Sequence, residues 1–146
     1  MEVLNIVAHT FKIGESPNII EITIPHHEAY VEDIYDEVES ELTIQSGKYC
    51  VHQAGIWISL KNVYLLYQEL NEVYQELKGK VIFSNVEESF YIEVTLHSLG
   101  QMNVEGYIQD LPSVKNKLAF EFQLDQSYLP KTIDELKEIF AKLGQV

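Results

Sequence analysis

The chain contains no arginine. Its ten cations are all lysines, set against 23 aspartates and glutamates, which gives a formal net charge of −13 over 146 residues. That balance speaks against nucleic-acid binding, which needs a basic footprint and usually arginines to grip phosphates bidentately. Cysteine is nearly absent too. Cys50 stands alone, so no intrachain disulfide can form and the residue reads as a reduced, half-buried thiol. No run approaches the roughly 18 apolar residues of a membrane span. The segment Met1–Asn5 carries an acid, with no lysine before Lys12, unlike a signal peptide. These absences predict a cytoplasmic protein with no membrane partner.

What is present suits a folded domain. Apolar residues make up 46% of the chain, too many for disorder, and the length predicts a single domain over 1–146. The acid excess is uneven. Residues 1–47 hold ten carboxylates against Lys12 alone, while residues 48–146 hold thirteen against nine lysines. The densest stretch comprises Glu28, Glu32, Asp33, Asp36, Glu37, Glu39 and Glu41, with no counter-ion between them. It reads either as a solvated face that maintains solubility or as an anionic surface for a cationic partner.

Period-2 alternation dominates the pattern. Ile20, Ile22 and Ile24 alternate with Glu21 and Thr23, predicting a strand that ends at Pro25. Leu42 and Ile44 lead to Ser46-Gly47, a hairpin turn into an uncharged strand over 49–58 that includes Trp57 and is expected at the sheet centre. A further strand is expected within 3–13. Ser59 suits a helix N-cap, and Val63, Leu66, Tyr67, Leu70, Val73, Tyr74 and Leu77 form one apolar face of a helix over 60–78, with Gly79 as its stop. Alternation returns at 80–84, 90–96, 101–109 and 117–124, with short Gly- and Pro-bearing connections and a bulge expected at Gly106. Thr132 and Glu135 match a capping box opening a last helix. Residues 28–40 read as a short acidic helix or as a loop, since like charges at i,i+4 oppose the helix. The fold class is α+β: a mostly antiparallel sheet, one long central helix, and a C-terminal helix packed on one face.

No catalytic or metal motif emerges, and no cofactor is implied. His26-His27-Glu28 are adjacent, and neighbours on an extended chain point to opposite sides. Cys50 and His52 share a side of a strand but start about 6.6 Å apart at Cα, too far for a thiolate–imidazole pair without rearrangement. Spacings such as HExxH, CxxC, GxSxG, the P-loop and GxGxxG are missing.

Two stretches of the second half look familiar. Leu99 to Asp110 carries Gly100, Val104 and Gly106 in strand spacing. Leu118 to Leu129 reads L-x-F-x-F-x-x-D-Q-S-Y-L, with Asp125, Gln126 and Tyr128 at its end. Together with Trp57-Ile58-Ser59-Leu60 they resemble the bacterial WapI-type immunity proteins, over about residues 18–143. The resemblance implies a non-enzymatic protein that binds and occludes a cognate polymorphic toxin domain, commonly a nuclease. Its partner would then be a basic toxin domain. Glu28, Glu32, Asp33, Asp36, Glu37, Glu39 and Glu41 match no family pattern, and they are expected to bind that domain on the ground of their charge. The motif residues Trp57, Gly100, Gly106, Asp125, Gln126 and Tyr128 are expected to serve structure. Without the resemblance, the same residues describe a non-catalytic interaction module of unknown partner.

Overall fold

Alternation of apolar and polar residues is realised as eight strands. A computed structural model describes residues 6–27, 37–111 and 113–142. Strands β1 (Ile6–Glu15), β2 (Asn18–His27), β3 (Glu37–Ser46) and β4 (Tyr49–Ser59) form one antiparallel sheet in that order. Strands β5 (Gly79–Ser84), β6 (Phe90–Leu96), β7 (Gln101–Gln109) and β8 (Lys117–Asp125) form a second. The class is α+β, but with two four-stranded sheets where the alternation suggested one. Helix α1 (Leu60–Glu76) is the cause: 17 residues at 1.5 Å each carry the chain about 25 Å from the last strand of one sheet to the first of the other.

Ser59 caps α1 as expected, its hydroxyl accepting the Asn62 N–H at 3.1 Å. The left-handed stop is Leu77 (φ 61°) rather than Gly79, which already opens β5. Helix α2 (Leu129–Lys142) has 14 residues, so no single long helix dominates. The helices also do not lie across one sheet face. They pack on each other, α2 along β1 and α1 along β5, with Tyr64 edge-on to Phe140 at 5.1 Å. The inward residues of both sheets and both helices make one cluster, in which Ile22, Leu42, Ile44, Val63, Ile92, Val104 and Leu136 have no exposed surface. Burying each such side chain contributes about 1.5–3 kcal/mol.

Five further expectations are corrected. Strand β2 continues through Pro25 to His27, because its ladder with β3 ends at Thr23↔Glu41 while β1 still pairs with Pro25 through Ala8. The absent N–H would have pointed toward β3, beyond the last rung. Strand β4 is an edge, not the centre. Residues 37–41 are strand, neither helix nor loop, since alternation of Val38, Ser40 and Leu42 with the glutamates buries one side; residues 28–36 lie outside those described. Gly106 sits in regular register with Ile92 and Phe120, and the bulge lies instead in β4, where His52 and Gln53 (φ 50°) oppose Thr43. Finally, α2 starts three residues before Thr132, following a 3-10 turn at Gln126–Tyr128. Pro130, whose missing N–H is harmless in a first turn, was the available signal. Thr132 and Glu135 turn to the backbone of β1 instead of to each other.

Candidate functional site

The outer face of the first sheet gathers the described part of the acidic stretch. Strand β3 buries Ser40, Leu42 and Ile44 and exposes Glu37, Glu39 and Glu41. Residues directly opposite in an antiparallel pair share a face. Glu37 therefore stands across from Ser59, Glu39 from Trp57 and Glu41 from Gly55. On the other flank Glu41 meets Thr23, which is 3.0 Å from Thr10 through their hydroxyls. Lys12 is two strands away, opposite Glu21. Glu28, Glu32, Asp33 and Asp36 fall outside the described residues, as do the side chains of His26 and His27.

Four motif residues of the second half, Gly100, Asp125, Gln126 and Tyr128, converge on one junction. The Asp125 carboxylate accepts the Ser127 N–H at 2.8 Å, which holds that carboxyl below its usual range. The Gln126 N–H donates to the Gly100 carbonyl at 2.9 Å. Gly100 takes a φ of +84°, and its bare α-carbon faces the Gln126 amide. The Tyr128 hydroxyl donates to Glu15 at 3.1 Å, and that carboxylate raises the phenol's pKa. These contacts join the β6–β7 turn, the 3-10 turn and the end of β1. Gly106 faces the Tyr91 carbonyl and Ile92, with no room for a Cβ. Trp57 lies away from that junction, on the face of Glu39: it is 44% exposed and outside the core.

A second acidic row lies on the other sheet, where Glu93, Glu105 and Glu121 stand directly opposite one another on β6, β7 and β8. Desolvation, then the Glu121 and Glu93 carboxylates on either side, hold Glu105 above its ordinary value. The Tyr91 hydroxyl donates to Glu93 at 2.6 Å, which lowers the Glu93 pKa and pushes the phenol up to about 12. Lys80 lies 3.5 Å from Glu93. Tyr91 and Tyr107 stack beside the row, with the Lys117 ammonium 4.1 Å from the Tyr107 ring centre. Only inter-strand register assembles this row, so no sequence spacing announced it.

A cleft of about 480 Å³ opens between β4 and β8, lined by Val51, His52, Ala54, Ile108, Lys117 and Leu118 among others. Cys50 is exposed rather than half-buried, because it lies at the start of the edge strand β4. Among the described residues, no three His, Cys, Asp or Glu side chains are grouped to hold a metal, and no helix is long and apolar enough to cross a membrane.

The outward row of carboxylates on β3 thus stands beside an exposed tryptophan on β4. Comparison with known proteins names the setting. Residues 10–144 match the immunity protein WapI-like family. The chain belongs to that family. No curated protein and no solved structure matches it. Membership makes this a toxin-immunity protein whose partner is a toxin, and the WapI-like match spans both sheets and both helices.

Proposed function

We propose that this WapI-like immunity protein acts in the cytoplasm as a single non-catalytic domain that binds and occludes a cognate polymorphic toxin domain, a nuclease, through the acidic stretch Glu28 to Glu41. The observation that carries the reading is the outward alignment of Glu37, Glu39 and Glu41 on one sheet face of a family member with net charge −13. A nuclease must hold phosphates with cations. Carboxylates presented on a rigid strand occupy that cationic surface in the nucleic acid's place, and opposite charge speeds the encounter.

The test is co-expression with the C-terminal domain of the secreted toxin encoded beside this chain, followed by co-purification. Reversing Glu32, Asp33, Asp36 and Glu37 to lysine lowers the association rate roughly 10–1,000-fold at low salt, and rising salt narrows the difference. Full protection of cells by the reversed variant would show that the acidic stretch is not the interface.

A further inference from the structure

Two features of β4 are not accounted for by the packing of the fold. Trp57 is the chain's one tryptophan, yet it is 44% exposed while its neighbours Ile56 and Ile58 are each 1% exposed. A buried tryptophan removes some 150–250 Å² from water, so this position leaves a large apolar surface unused. Gly55, two residues earlier on the same face, is not required by the backbone. Its φ is not positive, and an added Cβ would meet only a Glu39 carboxylate oxygen, at an ordinary 3.7 Å. Glycine inside a strand gives up roughly 0.5–1 kcal/mol relative to alanine. Gly106 differs in that the Tyr91 carbonyl forbids a side chain there.

A glycine that the fold does not need, beside a tryptophan that the fold leaves 44% exposed, marks a place where another surface approaches closely. The walls of that place are charged. Glu41 stands directly across from Gly55 and Glu39 directly across from Trp57, with Glu37 one rung further. We infer that the Gly55–Trp57 shelf is the anchor point for a cationic side chain, lysine or arginine, projecting from the toxin domain. The stem of that side chain lies in the gap left by Gly55 and against the indole. Its charge sits over the ring and between Glu39 and Glu41, where cation–π attraction and two carboxylates act together. The inference rests on the immunity reading above and adds to it the contact point and the type of side chain received. It also assigns binding to β4, a strand outside the acidic stretch.

Because Trp57 is the only tryptophan, 5-fluorotryptophan labelling of the full chain gives a single ¹⁹F resonance that reports on this shelf alone. The probe is a catalytically inactive variant of the C-terminal toxin domain encoded beside this chain. Binding is expected to shift and broaden the resonance and to abolish its H₂O/D₂O dependence. Trp57→Ala and Gly55→Val each lower affinity by about a hundredfold, the scale of an interface hot spot. Glu105→Gln with Glu121→Gln on the other sheet leaves it within about twofold. If the complex forms while the resonance stays unmoved, or Gly55→Val binds like the parent, the shelf is not the anchor and the immunity reading stands. If the parent chain fails to bind the toxin domain, both fall. Should a variant lose its fold by circular dichroism, the resonance of the unsubstituted chain decides.

Discussion

Lys12 is held by its backbone from outside its own sheet: its N–H donates to the Glu135 carboxylate at 3.0 Å, and its carbonyl accepts the Thr132 hydroxyl at 2.5 Å. Strand β1 is an edge, and edge strands present alternate N–H and C=O groups to whatever comes near. One turn of α2 thus satisfies both groups of one rung. Thr132→Val and Glu135→Ala should each cost about 1–3 kcal/mol in urea unfolding, because a backbone partner is left unsatisfied. The double variant should cost less than the sum, since the two bonds hold the same docking. Exchange of the Lys12 amide should accelerate in Glu135→Ala, and an unchanged rate would mean that the clamp does not hold in solution.

The two extended glycines should respond oppositely to a methyl group. Gly106→Ala drives a Cβ into the Tyr91 carbonyl and Ile92, so unfolding free energy should fall by about 1–3 kcal/mol or more. Gly55→Ala meets ordinary contact only, and stability should hold or rise by a few tenths of a kcal/mol. Thermal melts of the pair check both.

The carboxylate row of the second sheet predicts a pH dependence of definite sign. Glu105 is raised above 4.5 in the folded state, so the folded protein binds its proton more readily than the unfolded chain. Its contribution is greatest below 4.5 and is lost as pH rises through the folded pKa. Asp125 runs the other way: its pKa is depressed below 3.8, so its contribution is present above that value and lost as pH falls. Glu105→Gln should therefore raise the melting temperature at pH 7, with the gain shrinking toward pH 4. A pH-independent gain would point to packing rather than charge.

Tyr91 should ionise near 12 in an ultraviolet titration, well above the ordinary 10. Replacing Glu93 with glutamine removes the acceptor's charge and should bring the phenol down toward 10. No movement would show that Tyr91 and Glu93 are not hydrogen-bonded in solution.

Strand and helix positions were legible wherever one face is buried, because Ile20, Ile22 and Ile24 must alternate and Val63, Leu66 and Leu70 must recur at helical spacing. Sheet membership was not, since a strand's period says nothing about its neighbours. The uncharged run 49–58 suggested a central strand. It is an edge that stays uncharged although only Ile56 and Ile58 of the run are buried, with Tyr49 exposed at its start. Thr132 and Glu135 show a local motif spent on a tertiary contact. Of the candidate face, composition indicated the glutamates, whereas the family motif marked Trp57 only as a structural residue. Gly55 became meaningful only once its surroundings showed that nothing required it.

The bulge at His52 and Gln53 has a consequence for the same strand. Val51 packs on the core opposite Ile44, and past the bulge Ala54 faces Leu42 and Ile56 faces Ser40. Were the same residues to run on as a regular strand with no bulge, counting by twos from Val51 would turn Gly55 and Trp57 inward while Ile56 and Ile58 met water. One inserted residue therefore shifts the spatial reading frame of β4. It keeps the single indole an instrument on the surface rather than a filling for the interior, and deleting Gln53 should flatten the bulge without turning Trp57 inward, since Ala54 would then follow Val51 by two.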